Sequence, residues 1–398
     1  MDHLAYKSTS TSKQMSYLSR FPSRLRSVLP SLEIPIVQGP FGGGASTVAL
    51  TAAVSNAGGL GSYGAHYLSP AKIRDLVVEL RGAVESNRPF AVNLWVDIPH
   101  NDRANLVKLV NEGPETFEEY RARLAPYYKK YGYEVPEYPA DGKIGHDFEE
   151  QVQALLDAAP PVISFVMGVP PQHVIAKARE KGIVTLGTAT TVAEAVALQN
   201  AGIDAIVASG VEAGGHRGTF LAFDSTRSPP PDETTFTLVP RVRAAVKDMP
   251  VIAAGGVSTP EGVLAALTLG ADAVQMGTAF VVADESGAAP VHKDAILDKR
   301  DAVARRTVLT KAFSGRQARS VMNGMTQELY SAESEIPGYP VQNYLTVPLR
   351  KKAGRIGDKD ALVLWCGQAG TLVNGGGAAD ILKRLLTGVD EVVAKMKM

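Results

Sequence analysis

The stretch VIAAGGVSTPEGVLAALTLGADAVQMGTAF, residues 251–280, decides the fold. It begins with an apolar run that ends in two glycines, continues through a helix-period segment opened by Ser-Thr-Pro, and closes with a second apolar run followed by Gly-Thr. Two buried strands joined by one helix form a βαβ unit, whose strands lie parallel. The stretch therefore predicts a parallel sheet with glycines at the carboxyl ends of two neighbouring strands.

The same unit recurs from residue 35 onward. Eight strands alternating with helices over about 250 residues are typical of a (β/α)8 barrel of the TIM type. An open doubly wound sheet is the alternative, but no strand is followed by the G-x-G-x-x-G turn and distant acidic residue that would favour it. The predicted strands are 35–39, 59–64, 90–96, 162–168, 184–188, 205–210, 251–256 and 273–280, and the helix-period segments between them include 47–58, 70–84, 171–182, 191–202 and 259–271.

Two segments fall outside the repeat. Residues 97–148 are too long for a βα loop and predict an excursion inserted over one barrel face. The tail has helix-period patterns and predicts a helical cap over the strand ends, where barrel active sites open. The predicted organisation is an N-terminal extension at 1–34, a barrel at 35–285 with the insertion at 97–148, and a helical C-terminal cap at 286–398.

Composition narrows the class of protein. The chain has 398 residues, is 45% hydrophobic, and has 41 Lys and Arg against 41 Asp and Glu. Such a balanced charge offers no field for nucleic acid, and no apolar run is long enough to span a bilayer. Cys366 is the only cysteine, which leaves no internal disulfide or cysteine metal cluster and fits a reducing compartment. We therefore expect an ordinary globular protein with neither a nucleic-acid nor a membrane partner.

The first thirty residues are rich in serine, carry five Lys and Arg, and have Asp2 as their only acid. This composition resembles an organelle transit peptide, and it also fits a chain terminus that ends in a short amphipathic segment against the domain. We favour the second interpretation and predict a cytoplasmic protein, with a mitochondrial location as the alternative if the segment is a transit peptide.

Glycines at the last two predicted strand ends point to an anion. Gly255, Gly256, Gly277 and Thr278 lie where barrels of this type commonly hold a phosphate, because adjacent strands build one site there. Backbone N–H groups in such turns can face an anion. The alternative is that these glycines serve only the chain reversal, and we favour the phosphate because both clusters occur together.

Other residues predicted at the same rim indicate a ligand that is broader than a sugar phosphate. Glycines 42–44 follow the first strand, Asn93 lies in the third, and GVEAGGHRGTF, residues 210–220, follows the sixth. Glycine backbone can pass close to a flat ring, and an amide such as that of Asn93 can bond its polar edge. The pattern predicts a flavin, with His216 beside it.

Several segments together resemble the class I nitronate monooxygenases, formerly called 2-nitropropane dioxygenases. The resemblance covers most of residues 34–374 and implies a TIM barrel with a helical second domain. It also implies bound FMN and oxidation of alkyl nitronates, such as propionate 3-nitronate, by molecular oxygen to a carbonyl compound and nitrite, with neither metal nor nicotinamide cofactor. The segments are QGPFGGGASTVALTAAVSNAGGLGSYGAHYLSP (38–70), FAVNLWV, TLGTATT, GVEAGGHRG, AAGGV, QMGTAF and WCGQ.

The resemblance also assigns residues. It makes His216 the catalytic residue, as an imidazolium or a neutral hydrogen-bond donor to the nitronate, or as a base towards a neutral nitroalkane. Two departures stand out: Ser209 where the family usually has Gln, and Phe41 where it usually has Met. We expect Ser209 to contact the flavin through water or not at all, and Phe41 to reshape the substrate pocket. The predicted cofactor-binding residues are Asn93, Ser209, Gly214, Gly215, Gly255, Gly256, Gln275, Met276, Gly277 and Thr278.

Alternatives stay open at this point. A related flavin barrel could be an NAD(P)H-dependent reductase of enoyl thioesters or quinones, or a flavin-binding protein without catalysis. A homodimer is the expected assembly if the chain self-associates. Arg217 is expected in solvent or paired with Glu212 rather than on a substrate carboxylate, and Arg316 and Arg319 at the site mouth or in an exposed turn. The remaining histidines show no metal-ligand spacing, so His66, His100, His146, His173 and His292 are expected in loops or on helix surfaces.

Overall fold

The computed structural model describes residues 15–96, 113–140, 144–221, 232–298 and 306–397. Eight parallel strands follow one another in the order β1-β9-β8-β6-β5-β4-β3-β2, and a bridge between Val37 and Leu60 joins the two ends of this sheet. The (β/α)8 barrel is confirmed, and the open sheet is wrong. The strands of the described chain are β1 Ile36–Gln38, β2 Gly61–Gly64, β3 Phe90–Trp95, β4 Val162–Val166, β5 Val184–Ala189, β6 Ala205–Ser209, β7 Gly215–His216, β8 Val251–Ala254, β9 Ala273–Met276, β10 Thr307–Thr310 and β11 Ala318–Val321.

Several of the helices between the strands begin at side-chain caps. Thr47, Ser69, Thr191 and Thr259 each accept a backbone N–H from the first turn, which satisfies one of the donors that a helix start leaves free. The α-helices of the described chain are α1 Tyr17–Arg20, α2 Leu25–Val28, α3 Val48–Asn56, α4 Pro70–Ala83, α5 Gly113–Tyr131, α6 Phe148–Ala158, α7 Gln172–Glu180, α8 Val192–Ala201, α9 Thr235–Val246, α10 Pro260–Thr268, α11 Thr278–Val281, α12 Pro290–Leu297, α13 Gly324–Glu328, α14 Val341–Ile356 and α15 Ala378–Met396.

The N-terminal segment closes one end of the barrel. Leu25, Leu29 and Leu32 are buried in one cluster with barrel-strand residues such as Val162 and Val207. The described part of the extension is therefore packed against the barrel, as the amphipathic interpretation predicted.

The same cluster identifies the inward face of the strands. Ala91, Val207 and Ala273 belong to it. Because side chains alternate along a strand, the residues two positions further on, Asn93, Ser209 and Gln275, also point inward. Three of the predicted cofactor residues therefore converge near the carboxyl end of the barrel interior.

The eighth predicted strand is too long. It ends at Met276, and Thr278 begins the short helix α11, so the prediction of strand to residue 280 is wrong. Gly277 is the residue at which the backbone changes course, since it is the N-cap of α11.

The C-terminal tail contains a sheet that its helix-period pattern did not predict. β10 and β11 pair antiparallel, and β11 pairs in turn with β7, which lies in the glycine-rich loop after β6. The last helix, α15, packs against α3 and α10 outside the barrel rather than over the strand ends. Helix α15 of the tail therefore completes the outer helix layer, whereas strand β11 of the tail reaches the glycine-rich loop after β6.

The predicted excursion forms a helix over most of its described length. α5 packs against α14, and the Tyr128 hydroxyl donates to the Leu345 carbonyl at 2.7 Å. Residues 97–112 and 141–143 lie outside the described residues. The insertion and the tail thus contact each other beside the barrel.

Candidate active site

The glycine-rich loop after β6 is held as an edge strand. Gly215 and His216 form β7, opposite Arg319 and Ala318 of β11. Gly215 has a φ of +75°, a left-handed conformation that glycine adopts without strain. The tail sheet therefore fixes the direction of the His216 side chain.

Two buried arginines hold the carbonyl groups of this loop. Arg217 donates through Nη1 to the carbonyls of Ser209 and Gly210 at 3.1 and 2.7 Å, and Arg319 donates through Nε to Val211 at 3.0 Å. Each arginine is 5% exposed. The expectations of a solvent-exposed Arg217 and of Arg319 at the site mouth or in an exposed turn are therefore wrong. The backbone carbonyl groups of this loop need hydrogen-bond donors that water cannot displace, and the two buried guanidinium groups supply these donors.

Two carboxylates accept hydrogen bonds from backbone N–H groups that follow His216 in the chain. The carboxylate of Glu212 accepts from the Thr235 backbone N–H and, at 3.1 Å, from its hydroxyl. Glu194, which is fully buried, accepts from the N–H groups of Phe220 and Leu221 at 2.6 and 3.1 Å. Charge-assisted bonds of this kind are the stronger hydrogen bonds in proteins, so the loop is ordered despite its glycines.

His216 lies between the two tryptophans of the chain. Its ring is 4.7 Å from that of Trp95 and 5.2 Å from that of Trp365, centroid to centroid, both at edge-on angles. Nε2 is 2.9 Å from the Ser314 hydroxyl, and that hydroxyl lies 3.1 Å from the Arg316 carbonyl, to which it can donate. When the serine proton is used there, Nε2 carries the imidazole proton and Nδ1 is left as an acceptor.

The surroundings keep this imidazole neutral. Burial, followed by the positive charges of Arg316 and Arg350, lowers the pKa of His216 to about 3. Nδ1 makes no hydrogen bond within the described part of the chain. The geometry therefore disfavours a resting imidazolium and leaves a neutral ring with one free lone pair.

Further aromatic side chains extend this cluster. His66 stacks on Trp95 with centroids 4.2 Å apart and rings within 12° of parallel. Tyr67 and Tyr339 lie 6.2 and 5.2 Å from Trp95, and His66 also hydrogen bonds the Tyr339 hydroxyl. Burial lowers the pKa of His66 to about 3. We call these rings, together with His216 and Trp365, the aromatic cluster.

The structure confirms the expected positions of some of the other histidines and contradicts those of others. His66 lies in a loop as expected, but its ring is inside the aromatic cluster. His292 lies on a helix but is only 7% exposed, and its Nε2 bonds the Trp365 carbonyl at 3.0 Å. His146 and His173 are exposed, as expected, and His100 lies outside the described residues. The expected exposed turn at Arg316 is wrong, since this residue is half-buried and donates to the Thr219 carbonyl at 2.7 Å.

Glycines follow β8 and β9 at the same rim, and of these Gly277 leaves space, whereas Gly255 and Gly256 lie against residues 212–213 of the loop after β6. A Cβ added at Gly277 would meet only the Phe41 ring, at 3.7 Å. Gly255 and Gly256 have φ values of +103° and +69°, which only glycine adopts readily. We call Gly255, Gly256, Gly277 and Thr278 together the glycine cluster.

The remaining predicted residues take several positions. The Asn93 amide donates to the carbonyl and hydroxyl of Ser164, each at 3.0 Å. Met276 is buried in the outer core, so its side chain points away from the barrel interior. Gly214 lies against the 366–367 backbone, since a Cβ there would be 2.5 Å from the Gly367 nitrogen. The Thr278 hydroxyl accepts from that same nitrogen at 3.0 Å.

A cavity of about 310 Å³ opens beside this backbone. It is lined by Arg306, Thr307 and residues of the 366–371 segment, and by none of the predicted site residues. Within the described chain no group of three His, Cys, Asp or Glu side chains could hold a metal ion, and no helix is long and apolar enough to cross a membrane.

Sequence reasoning missed most of the aromatic cluster. Trp95 and Trp365 both lie in quoted segments, FAVNLWV and WCGQ, and their rarity in the chain was an available signal. Nothing local marks Tyr339 or Ser314, because only the packing of the tail brings Tyr339 to Trp95 and Ser314 to His216.

The fold is a TIM barrel, in which His216 after β6 lies between Trp95 at the end of β3 and Trp365 of the tail. Residues 25–388 match the family model described as nitronate monooxygenase. A probable nitronate monooxygenase of Staphylococcus aureus (strain Newman) is 36% identical over 371 residues, which are 93% of this chain and 98% of the relative.

Two solved structures share this fold over almost the whole chain. The nitroalkane oxidase from Streptomyces ansochromogenes has a TM-score of 0.82 and 37% identity, over 94% of this chain and all of that one. FabK from Thermotoga maritima has a TM-score of 0.69 and 28% identity, over 94% and 98%. The chain belongs to the nitronate monooxygenase family, and it is accordingly an oxidoreductase.

Proposed function

We propose that the protein binds FMN at the carboxyl end of the barrel and oxidises small alkyl nitronates with molecular oxygen to a carbonyl compound and nitrite. The observation that carries the proposal is the neutral His216, whose Nδ1 makes no hydrogen bond to any described residue, at a rim that also carries the glycine cluster. Membership of the nitronate monooxygenase family supports the reaction class.

The residues present fit FMN. The space beside Gly277 would accommodate a phosphate, and Gly255 and Gly256 add no side chains there. For the polar edge of the ring, the inward-pointing Gln275 offers an amide group, Asn93 offers its amide oxygen, since its nitrogen donates to Ser164, and Ser209 offers a hydroxyl. The chemistry that bound FMN supplies is the transfer of electrons from the nitronate to oxygen.

His216 acts on the substrate proton. With Nε2–H donating to Ser314, Nδ1 can accept the α-proton of a neutral nitroalkane and so generate the nitronate in place. A substrate that arrives as the nitronate needs no such step. The aromatic cluster excludes water from the reacting carbon and fixes the imidazole plane through its edge-on contacts with Trp95 and Trp365.

The test is an oxygen-electrode trace combined with an absorbance spectrum. Purified protein should be yellow, release one FMN per chain on denaturation, and consume oxygen with ethyl nitronate or propionate 3-nitronate without NADPH. A protein that ignores nitronates and oxidises NADPH would instead be the reductase, an alternative to which the likeness to FabK gives some support. A colourless protein that fails to bind added FMN would contradict the flavin itself.

A further inference from the structure

His66 carries a buried nitrogen that has no partner among the described residues. Its ring stacks on Trp95 with centroids 4.2 Å apart, and its Nε2 hydrogen bonds the Tyr339 hydroxyl. Its backbone carbonyl accepts from Gln151 Nε2 at 2.8 Å. Nδ1 is buried and makes no hydrogen bond within the described part of the chain. The imidazole is therefore held in place while one of its two nitrogens is unused.

The bond to Tyr339 decides which nitrogen of His66 carries the proton. Burial keeps this imidazole neutral, so it has one N–H group and one lone pair. A phenol loses its proton near pH 10, whereas a neutral imidazole N–H is a much weaker acid, so the Tyr339 hydroxyl donates and Nε2 accepts. The proton of the ring is then on Nδ1. A buried N–H without an acceptor is costly and rare, so Nδ1–H indicates an acceptor that is not part of the chain.

His216 offers the complementary group nearby. Its Nε2 contacts the Ser314 hydroxyl, and its Nδ1 lone pair has no described partner. Both histidine rings contact Trp95, at 4.2 and 4.7 Å between centroids, so the two rings are at most about 9 Å apart. A neutral nitroalkane presents an acidic α-C–H bond to a base and its nitro oxygens to a donor. With contacts of about 3 Å at each end, such a molecule joins two nitrogens up to about 8 Å apart.

We propose that His66 is a second catalytic residue, whose Nδ1–H donates a hydrogen bond to an oxygen of the substrate's nitro group. The proposal rests on the function proposed above and completes its proton-transfer step. When His216 Nδ1 takes the α-proton, the electron pair of the broken C–H bond moves onto the nitro group and the nitronate forms. His66 keeps its own proton and stabilises the negative charge that develops on the oxygens, as a preorganised donor does in a site without water.

The test uses two amide variants that replace different nitrogens of the ring. In His66→Gln the amide nitrogen is four bonds from Cα, as Nε2 is, so it can still reach Tyr339 but does not replace Nδ1–H. This variant should lower kcat/KM for nitroethane roughly 10²- to 10³-fold, the effect of removing one such donor. In His66→Asn the amide nitrogen is three bonds from Cα, as Nδ1 is, and the variant should recover at least about tenfold of that loss. His173→Gln, at an exposed histidine, is the matched control and should change nothing.

Calorimetric titration with nitrate, a planar anion with oxygens like those of a nitronate, detects the donor without turnover. Nitrate should bind to the wild type and to His66→Asn, and roughly 10- to 100-fold more weakly to His66→Gln, because a hydrogen bond to a charged group is lost. His66→Phe, which keeps a ring for the stack on Trp95 but has no nitrogen, should show the same losses as His66→Gln. Thermal unfolding of each variant checks that it is folded.

The order of the two amide variants decides the outcome. If His66→Asn loses as much activity as His66→Gln, or more, the proposal is overturned, since His66 would then act through Tyr339 or through the stack on Trp95. Unchanged activity in both variants overturns it as well. If the protein oxidises neither nitroethane nor a nitronate but the difference in nitrate binding holds, the proposed function fails while the anion donor at His66 stands. If nitrate binds to the wild type no better than to His66→Gln, the donor itself fails.

Discussion

The two parts of the candidate site are built in different ways. The glycine cluster comes from short runs directly after β8 and β9, and its useful feature is the absence of side chains. The aromatic cluster takes its rings from the segments after β2, at the end of β3, in the loop after β6 and in the tail. The comparison teaches that a site formed by backbone can be located from local sequence, whereas one formed by side chains depends on how distant segments pack.

The largest effect is expected in the aromatic cluster. His216→Asn should lower the oxidation of neutral nitroethane by roughly 10² to 10⁴, because the amide cannot take up the α-proton. Activity on preformed ethyl nitronate should largely survive. Both rates are measured with an oxygen electrode, and His173→Asn, at an exposed histidine, is the control. An equal fall on both substrates would mean that His216 instead stabilises the anion.

The next effect concerns the glycine cluster. Gly277→Leu should weaken FMN binding roughly 100-fold, near the 3 kcal/mol upper cost of a side chain that the site cannot accommodate. Bound flavin is measured by absorbance after denaturation. The control is Gly82→Leu on α4, where the residue is exposed and a Cβ would meet nothing within 4 Å. Full flavin retention in Gly277→Leu would show that the phosphate binds elsewhere.

The fold was predictable because its signals are local. Apolar runs, cap residues and glycines located the barrel strands closely and five of its helices to within a few residues, for example α8, capped by Thr191 and closed by Gly202. The tail sheet was not predictable, because β10 and β11 are four residues each and β11 pairs with β7, about a hundred residues earlier in the chain. The same contact positions His216, so its neutral state and its bond to Ser314 could not be derived from the loop sequence.

A buried histidine beside the aromatic cluster makes the stability of the fold depend on pH. Burial lowers the pKa of His292, which supports Trp365, to about 4, against about 6.5 in the unfolded chain. A histidine buried neutral contributes stability above pH 6.5 that is lost as the pH falls towards 4, because the unfolded chain then binds the extra proton.

His292→Gln tests this directly by urea unfolding at pH 5 and pH 7. Wild-type protein should lose about 1.8 kcal/mol of unfolding free energy between pH 7 and pH 5 through this residue alone, because the slope reaches its maximum of about 1.4 kcal/mol per pH unit only between the two pKa values. The variant should lose less per pH unit, whatever its stability at pH 7. His173→Gln, at the exposed histidine, should keep the wild-type slope. An unchanged slope in His292→Gln would mean that its protonation is not linked to folding.

The smallest expected effect lies between the two clusters, at Ser209. Its carbonyl accepts from the buried Arg217, so the backbone is fixed and a substitution alters only the inward-pointing side chain. Ser209→Gln extends an amide towards the proposed flavin ring and should tighten FMN binding by about 1 kcal/mol, roughly fivefold, the typical net value of one hydrogen bond. The dissociation constant of FMN from apoprotein measures this, with Ser86→Gln at an exposed position as the control. If affinity is unchanged or weaker, the amide is redundant. In that case another group, such as Asn93 or Gln275, or a water molecule already hydrogen bonds the edge of the flavin ring. The affinity for FMN would then depend mainly on the glycine cluster.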